Sequence, residues 1–279
     1  MRKIFHFSPF TNHFSPVMQN SHYMKEKFRI AVVPALVMIF LFVVVGPGWT
    51  DEKRPESFVD IREVVPSVVL DIRYHGSHNF VGTRVDGYHQ PLCLITRQAA
   101  GALKKVQDEL QPFSLSIKIY DCYRPQRAVD HFVRWAGDIE DTRTKKEFYP
   151  TVDKQNLFRD RYISDKSSHS RGSTVDVTIV PVPTPAQKKY VPGEPLQACF
   201  LPAGERFEDN SIDMGTGFDC FHGLSHPGNQ TIGLPARANR LLLKTLMDKY
   251  GFNHYAEEWW HFTLRNEPYP DTYFNFPVE

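Results

Sequence analysis

Residues 30–45 form an apolar run of sixteen residues without a charge, interrupted only by Pro34. Beyond residue 65 the apolar positions become periodic. Val68, Val69 and Leu70 ahead of Asp71-Ile72-Arg73-Tyr74 predict a strand running into a loop. Ala99, Leu103, Val106 and Leu110 recur at i, i+4, i+7 and i+11, which predicts an amphipathic helix over residues 98–110. Leu115, Ile117 and Ile119 alternate with polar neighbours, which predicts a half-buried strand over 114–120. Pro125 suits the first turn of a helix running through Val129, Phe132, Val133 and Ala136. The β-branched run 174–180, broken by Asp176, predicts a strand. Residues 235–250 predict a helix stopped by Gly251, and 261–264 a last short strand. Between the 174–180 strand and the 235–250 helix, residues 181–213 hold six prolines and many charges and read as a loop insert. Strands and helices mix without regular βαβ alternation. That favours an α+β domain, a small, mainly antiparallel sheet flanked by helices.

Composition changes the picture in one respect. The 279 residues carry a net charge of +1, with 41% hydrophobic and 23% charged positions, a folded-protein composition that gives no reason to expect a nucleic-acid partner. The charge is unevenly spread. Residues 1–50 hold five basic residues and one acid, and the remainder is net −3. Lys25, Lys27 and Arg29 directly precede the apolar run, and Gly46-Pro47-Gly48 follows it. A basic flank, an apolar stretch and small residues describe an export signal or, uncleaved, an N-terminal anchor through residues 30–45. Met24 is a second candidate start beside Met1. The expected organisation is therefore a targeting segment over 1–50, a linker over 51–65 and one catalytic domain over 66–279. Export permits disulfides. Cys199 and Cys220 flank the insert as a loop staple, while Cys93 and Cys122 either pair or stay free.

The candidate chemistry lies in three segments. Gly172-Ser173 is a two-residue turn of the Gly-X kind, which predicts a hairpin, or another tight loop centred there, setting His169 opposite Asp176, close enough to share a metal ion. In Glu257-Glu258-Trp259-Trp260-His261, an acid three residues before a histidine can reach the same ion, with both tryptophans walling the site. His169, Asp176 and His261 then fill the three protein positions of a catalytic zinc, and Glu258 is left as general base. Arg124, at a strand end in Tyr120-Asp121-Cys122-Tyr123-Arg124-Pro125, can project over the site and hold an oxyanion. Taken singly, each residue has an ordinary structural reading, such as Arg124 pairing with Asp121. The weight is in their joint occurrence.

These segments resemble the D-Ala-D-Ala metallopeptidases, and within them the dipeptidases related to vancomycin resistance. The wider group shares S-x-H-x-x-G-x-x-x-D (residues 167–176) and an acid-x-x-His (258–261). The dipeptidases are more closely matched by E-W-W-H, Y-D-x-Y-R-P (120–125), S-S-H-S-R-G-S (167–173), M-G-x-x-F-D (214–219) and the tail around Arg265–Pro270. The resemblance implies the hedgehog-like fold of that group and one Zn2+ per chain on His169, Asp176 and His261. It implies Glu258 as base and Arg124 as transition-state stabiliser. It places Asp219 and Tyr74 at the ammonium of a small dipeptide, with Ser167 beside the substrate. The insert between the metal loop and Asp219 is a candidate lid or a reshaped substrate rim, either of which bears on substrate choice. A zinc D,D-carboxypeptidase of peptidoglycan stems and a non-catalytic zinc-dependent wall-binding module are the alternatives. Export suits cell-wall peptide turnover or nutrient recovery outside the cytoplasm rather than antibiotic resistance. Oligomeric state has no signature in the sequence.

Overall fold

The computed structural model describes residues 52–279. The expected targeting segment, its anchor alternative and the choice of start lie outside the described residues.

The chain begins with strand β1 (Phe58–Asp60), the helical turn α1 (Ile61–Val64) and strand β2 (Val69–Leu70). Strand β3 (Leu94–Thr96), helix α2 (Arg97–Leu110), strand β4 (Leu115–Asp121), helix α3 (Gln126–Gly137) and the turn α4 (Lys145–Phe148) follow. Strand β5 (Thr174–Pro181), helix α5 (Leu234–Lys249), strand β6 (Phe252–His254) and strand β7 (His261–Leu264) complete it. The main sheet has the order β2-β4-β5-β7-β6, parallel at β2–β4 and antiparallel elsewhere. β1 and β3 form a separate antiparallel pair. The result is a mixed α/β arrangement.

Local chemistry explains the main boundaries. Thr96 caps α2, its Oγ1 accepting from Ala99 N at 3.4 Å. The helix then buries Ala99, Leu103, Val106 and Leu110, the stripe that its periodicity predicts. α5 ends where Gly251 takes φ +95, the left-handed conformation that a glycine adopts without a Cβ clash.

Three expectations need correction. The stretch assigned to the linker is part of the fold from Phe58 on: Phe58, Ile61 and Val65 are buried, and β1 pairs with β3. β4 is not half-buried, because its polar face is covered as well. Lys118 is buried there, its Nζ donating to Gln187, Asp209 and Asn210 of the insert. Alternation revealed which positions are polar, but not that another segment would cover them. Gly172-Ser173 makes no hairpin. Ser168–Arg171 is a 3-10 turn, closed by Gly172 at φ +82 with its N–H donating to His169 O at 3.0 Å. A Cβ on Gly172 would lie 2.2 Å from the Phe58 ring. Only glycine fits this position, and the supposed linker residue Phe58 therefore props the turn that carries His169.

Candidate active site

One row of side chains crosses three strands. A bulge between Ile119 and Asp121 brings Asp121 opposite Asp176, and Asp176 stands opposite His261 on β7. Bulges re-aim side chains in this way beside functional sites. His169 joins the row from the 3-10 turn. Its Nε2 lies 3.2 Å from His261 Nδ1 and 3.3 Å from Asp176 Oδ1. His261 Nδ1 lies 3.3 Å from the same oxygen, which closes a nearly equilateral triangle. The ring orientations are set from behind. His169 Nδ1–H donates to Cys122 O at 2.6 Å, leaving Nε2 with its lone pair inward. His261 Nε2 lies 3.2 Å from Ser168 Oγ, so its Nδ1 faces the triangle. Asp176 Oδ1 is buried and has no hydrogen-bond partner among the described residues. With both ring nitrogens presenting lone pairs, as metal ligands do, they and the carboxylate oxygen at this spacing would repel one another unless a cation lay between them. Burial works against the Asp176 charge, yet positive charge at the His169 and His261 corners holds its carboxyl well below the usual range. The donor set is that of a metal site.

Glu258 reaches the same place, its Oε2 lying 3.6 Å from His261 Nδ1. Burial pushes its carboxyl up to about 8, against the pull of His261. Arg124 both pairs structurally and faces the site. Its Nε donates to Asp121 Oδ2 at 2.9 Å, and its Nη2 lies 3.4 Å from Asp176 Oδ2. The guanidinium also lies over the Tyr74 ring, 4.8 Å from its centroid. Tyr88 OH donates to the other oxygen of Asp121 at 2.6 Å and so orients the group that orients Arg124.

Asp219 is buried, with φ +55, and its Oδ2 accepts from Tyr74 OH at 2.9 Å. Burial first, and the Asp176 charge second, push its carboxyl well above the usual range. Burial and Asp219 raise the Tyr74 phenol too, which keeps it a donor. The loop that carries Asp219 is held by Arg240, whose buried guanidinium donates to the carbonyls of Met214, Leu224 and His226. Tyr74, Arg124, Ser167, Asp176, Asp219, Glu258 and His261 line a single cavity of about 570 Å³, with His169 just behind it.

Two expectations fail here. Only Trp260 walls the cavity. Trp259 turns to the opposite side, its Nε1–H donating to Thr216 Oγ1 at 2.9 Å. The insert is not a lid, since no residue of 181–213 lines the cavity. That wall comes from 158–168, including Phe158, Arg161 and Tyr162. Cys199 is bonded to Cys220, and Cys93 to Cys122. Sequence reasoning missed Ser168, Tyr88 and the Cys122 carbonyl as supports of the site. Asp121 and Ser168 both stood inside matched motifs, and that was the signal that could have found them.

The family model described as D-Ala-D-Ala dipeptidase, M15 peptidases, matches residues 54–182 and 205–279. A D-alanyl-D-alanine dipeptidase of Enterococcus faecalis is 36% identical over 222 residues, covering 80% of this chain and 98% of that protein. One from Streptomyces coelicolor is 37% identical, covering 80% and 97%. One from Escherichia coli is 28% identical, covering 75% and 84%. The chain therefore belongs to the D-Ala-D-Ala dipeptidase family of M15 metallopeptidases.

Proposed function

We propose that this chain hydrolyses D-Ala-D-Ala to two D-alanines with one zinc ion, on a hedgehog-like scaffold, outside the cytoplasm in cell-wall peptide turnover. The observation that carries the reading is one cavity lined both by Asp176 and His261 of the His-Asp-His triangle and by the buried Asp219–Tyr74 pair. The triangle suits zinc. Three corners of a tetrahedron with bonds of about 2.0–2.1 Å lie about 3.3 Å apart, which matches sides of 3.2–3.3 Å. His169, Asp176 and His261 would hold the ion. When bound, zinc supplies Lewis acidity to the scissile carbonyl and to water, and its charge favours the ionised form of Glu258.

The remaining steps belong to the chain's own groups. Asp219 accepts the substrate ammonium, with the Tyr74 hydroxyl fixing its carboxylate. A blocked amine would leave that buried acid unpaired, which selects a free dipeptide. Ser167 flanks the bound peptide. Glu258 takes a proton from the attacking water and delivers it to the leaving amine as the C–N bond breaks. Arg124, held in place by Asp121, stabilises the oxyanion that develops on the carbonyl. The two disulfides favour an oxidising compartment.

The test is hydrolysis of free D-Ala-D-Ala against its N-acylated analogue, with Glu258→Gln as control. The free dipeptide should be preferred, and the variant should retain zinc while kcat falls by about 10³-fold or more. Preference for the acylated substrate would establish the D,D-carboxypeptidase instead. Unchanged activity in the variant would remove Glu258 from the mechanism.

A further inference from the structure

The insert stays outside the cavity yet grips the immediate neighbours of both residues assigned to the substrate ammonium. Arg73 and Tyr74 are adjacent in one 3-10 turn and point in different directions. Tyr74 lines the cavity, while the Arg73 guanidinium runs to the insert and donates to Asp209 Oδ2 at 2.6 Å. Asp209 also accepts from Lys118 of β4 at 3.1 Å. His78, at 2.9 Å from Arg73 Nη1, contacts two insert rings, with centroids 4.3 Å from Tyr190 and 4.0 Å from Phe207.

The second grip is covalent. Cys199 is bonded to Cys220, the residue after Asp219. The Cys199 carbonyl also accepts from Gly217 N–H at 2.8 Å, two residues before Asp219. Tyr74 and Asp219 are 145 positions apart in the chain, and their 2.9 Å hydrogen bond requires two separate segments to be held in register. Asp219 sits in left-handed backbone, which aspartate adopts more readily than most side chains, and the two Cys199 links stand on either side of it. The family model matches up to residue 182 and resumes at 205, so Cys199 and Tyr190 lie outside the matched residues while Phe207 and Asp209 lie within them.

We propose that the insert is a brace for the ammonium end of the site, with Cys199 and Asp209 as positioning residues that hold Asp219 and Tyr74 together from outside the cavity. The proposal rests on the dipeptidase reading above. The brace keeps its charge across neutral pH: against burial, Arg73 and Lys118 hold the Asp209 carboxyl at about 2. A brace acts on recognition of the free amine and leaves the metal triangle and Glu258 as they are. Its signature is therefore a change in KM and in discrimination, not in kcat.

The experiment uses the full, zinc-loaded chain in three forms: Cys199→Ala with Cys220→Ala, Asp209→Asn, and Asp209→Glu. Each is assayed on D-Ala-D-Ala and on N-acetyl-D-Ala-D-Ala, and zinc content is measured. Dipeptide affinity is also measured by calorimetry in a Glu258→Gln background. The disulfide and Asn variants should keep zinc and hold kcat within about 3-fold. KM and Kd for the free dipeptide should rise about 10-fold, as for one weakened charged hydrogen bond, and preference over the acetylated form should fall with them. Asp209→Glu should restore most of the loss. If the disulfide variant does not fold, Asp209→Asn and its rescue decide the matter alone. Unchanged KM and Kd alongside a lower Tm would overturn the brace, and so would a parallel loss of kcat and zinc. A wild-type chain inactive on D-Ala-D-Ala would instead overturn the reading beneath it. An active wild type with indifferent variants would overturn the brace only.

Discussion

Removing the metal should make the protein's stability fall as pH rises, with Glu258 as a principal cause. In the metal-free fold, burial raises this carboxyl from its ordinary 4.5 to about 8. The folded state then binds a proton that the unfolded chain has released. Stability is complete below pH 4.5, declines as pH rises through the interval, and declines no further above about 8. At roughly 1.4 kcal/mol per pH unit, the full interval is worth about 4–5 kcal/mol. The side chain is 17% exposed, so solvent relieves part of that. A loss of about 2–4 kcal/mol is expected, or roughly 5–15 °C in Tm for a domain of this size. The assay is thermal unfolding of chelated wild type and Glu258→Gln from pH 4.5 to 8.5. Asp219 and Asp121 are also raised by burial and slope the same way in both proteins, so the difference between the two curves isolates Glu258. Asp176, held low, acts on the acid side of this window. Wild type should lose Tm more steeply than the variant, and added zinc should flatten the wild-type curve. Parallel curves in the chelated proteins would refute the reasoning, because Glu258 would then be ionised in the metal-free fold.

Three further outcomes are expected. His261→Ala removes one corner of the triangle, so the purified protein should lose its zinc by elemental analysis as well as its activity. Cys93→Ala with Cys122→Ala opens a loop of sequence separation 29, which should cost about 3–4 kcal/mol and lower Tm by roughly 10 °C in calorimetry. Gly172→Ala places a methyl group 2.2 Å from the Phe58 ring at φ +82. It should destabilise the fold by about 2 kcal/mol or more in denaturant unfolding, and lower zinc affinity because His169 rides on that turn.

Much of the site was legible along the chain because its motifs are local. The spacing from Ser167 to Asp176, and from Glu258 to His261, needs only a turn to bring the groups together. Helix α2 was legible for the same reason: a 3.6-residue repeat marks one buried face. What failed depended on partners distant in sequence. Lys118 reads as the solvent side of a strand until Asp209, 91 positions away, covers it. Phe58 reads as linker until it packs beneath Gly172. Trp259 and Trp260 read alike, although one faces the cavity and the other bonds to Thr216.

The amino-acid order by itself determined which side chains are able to hold a metal ion, move a proton and meet an ammonium, since those capacities belong to residue types at short spacing. Only the tertiary structure decided how they meet. The row Asp121–Asp176–His261 is a matter of register between three strands. His169 joins it through a 3-10 turn rather than a hairpin. The insert became a support behind Tyr74 and Asp219 instead of a cover over the cavity. Registers, packing faces and long-range ion pairs are settled by the lowest free energy of the whole fold, and no local pattern encodes them alone.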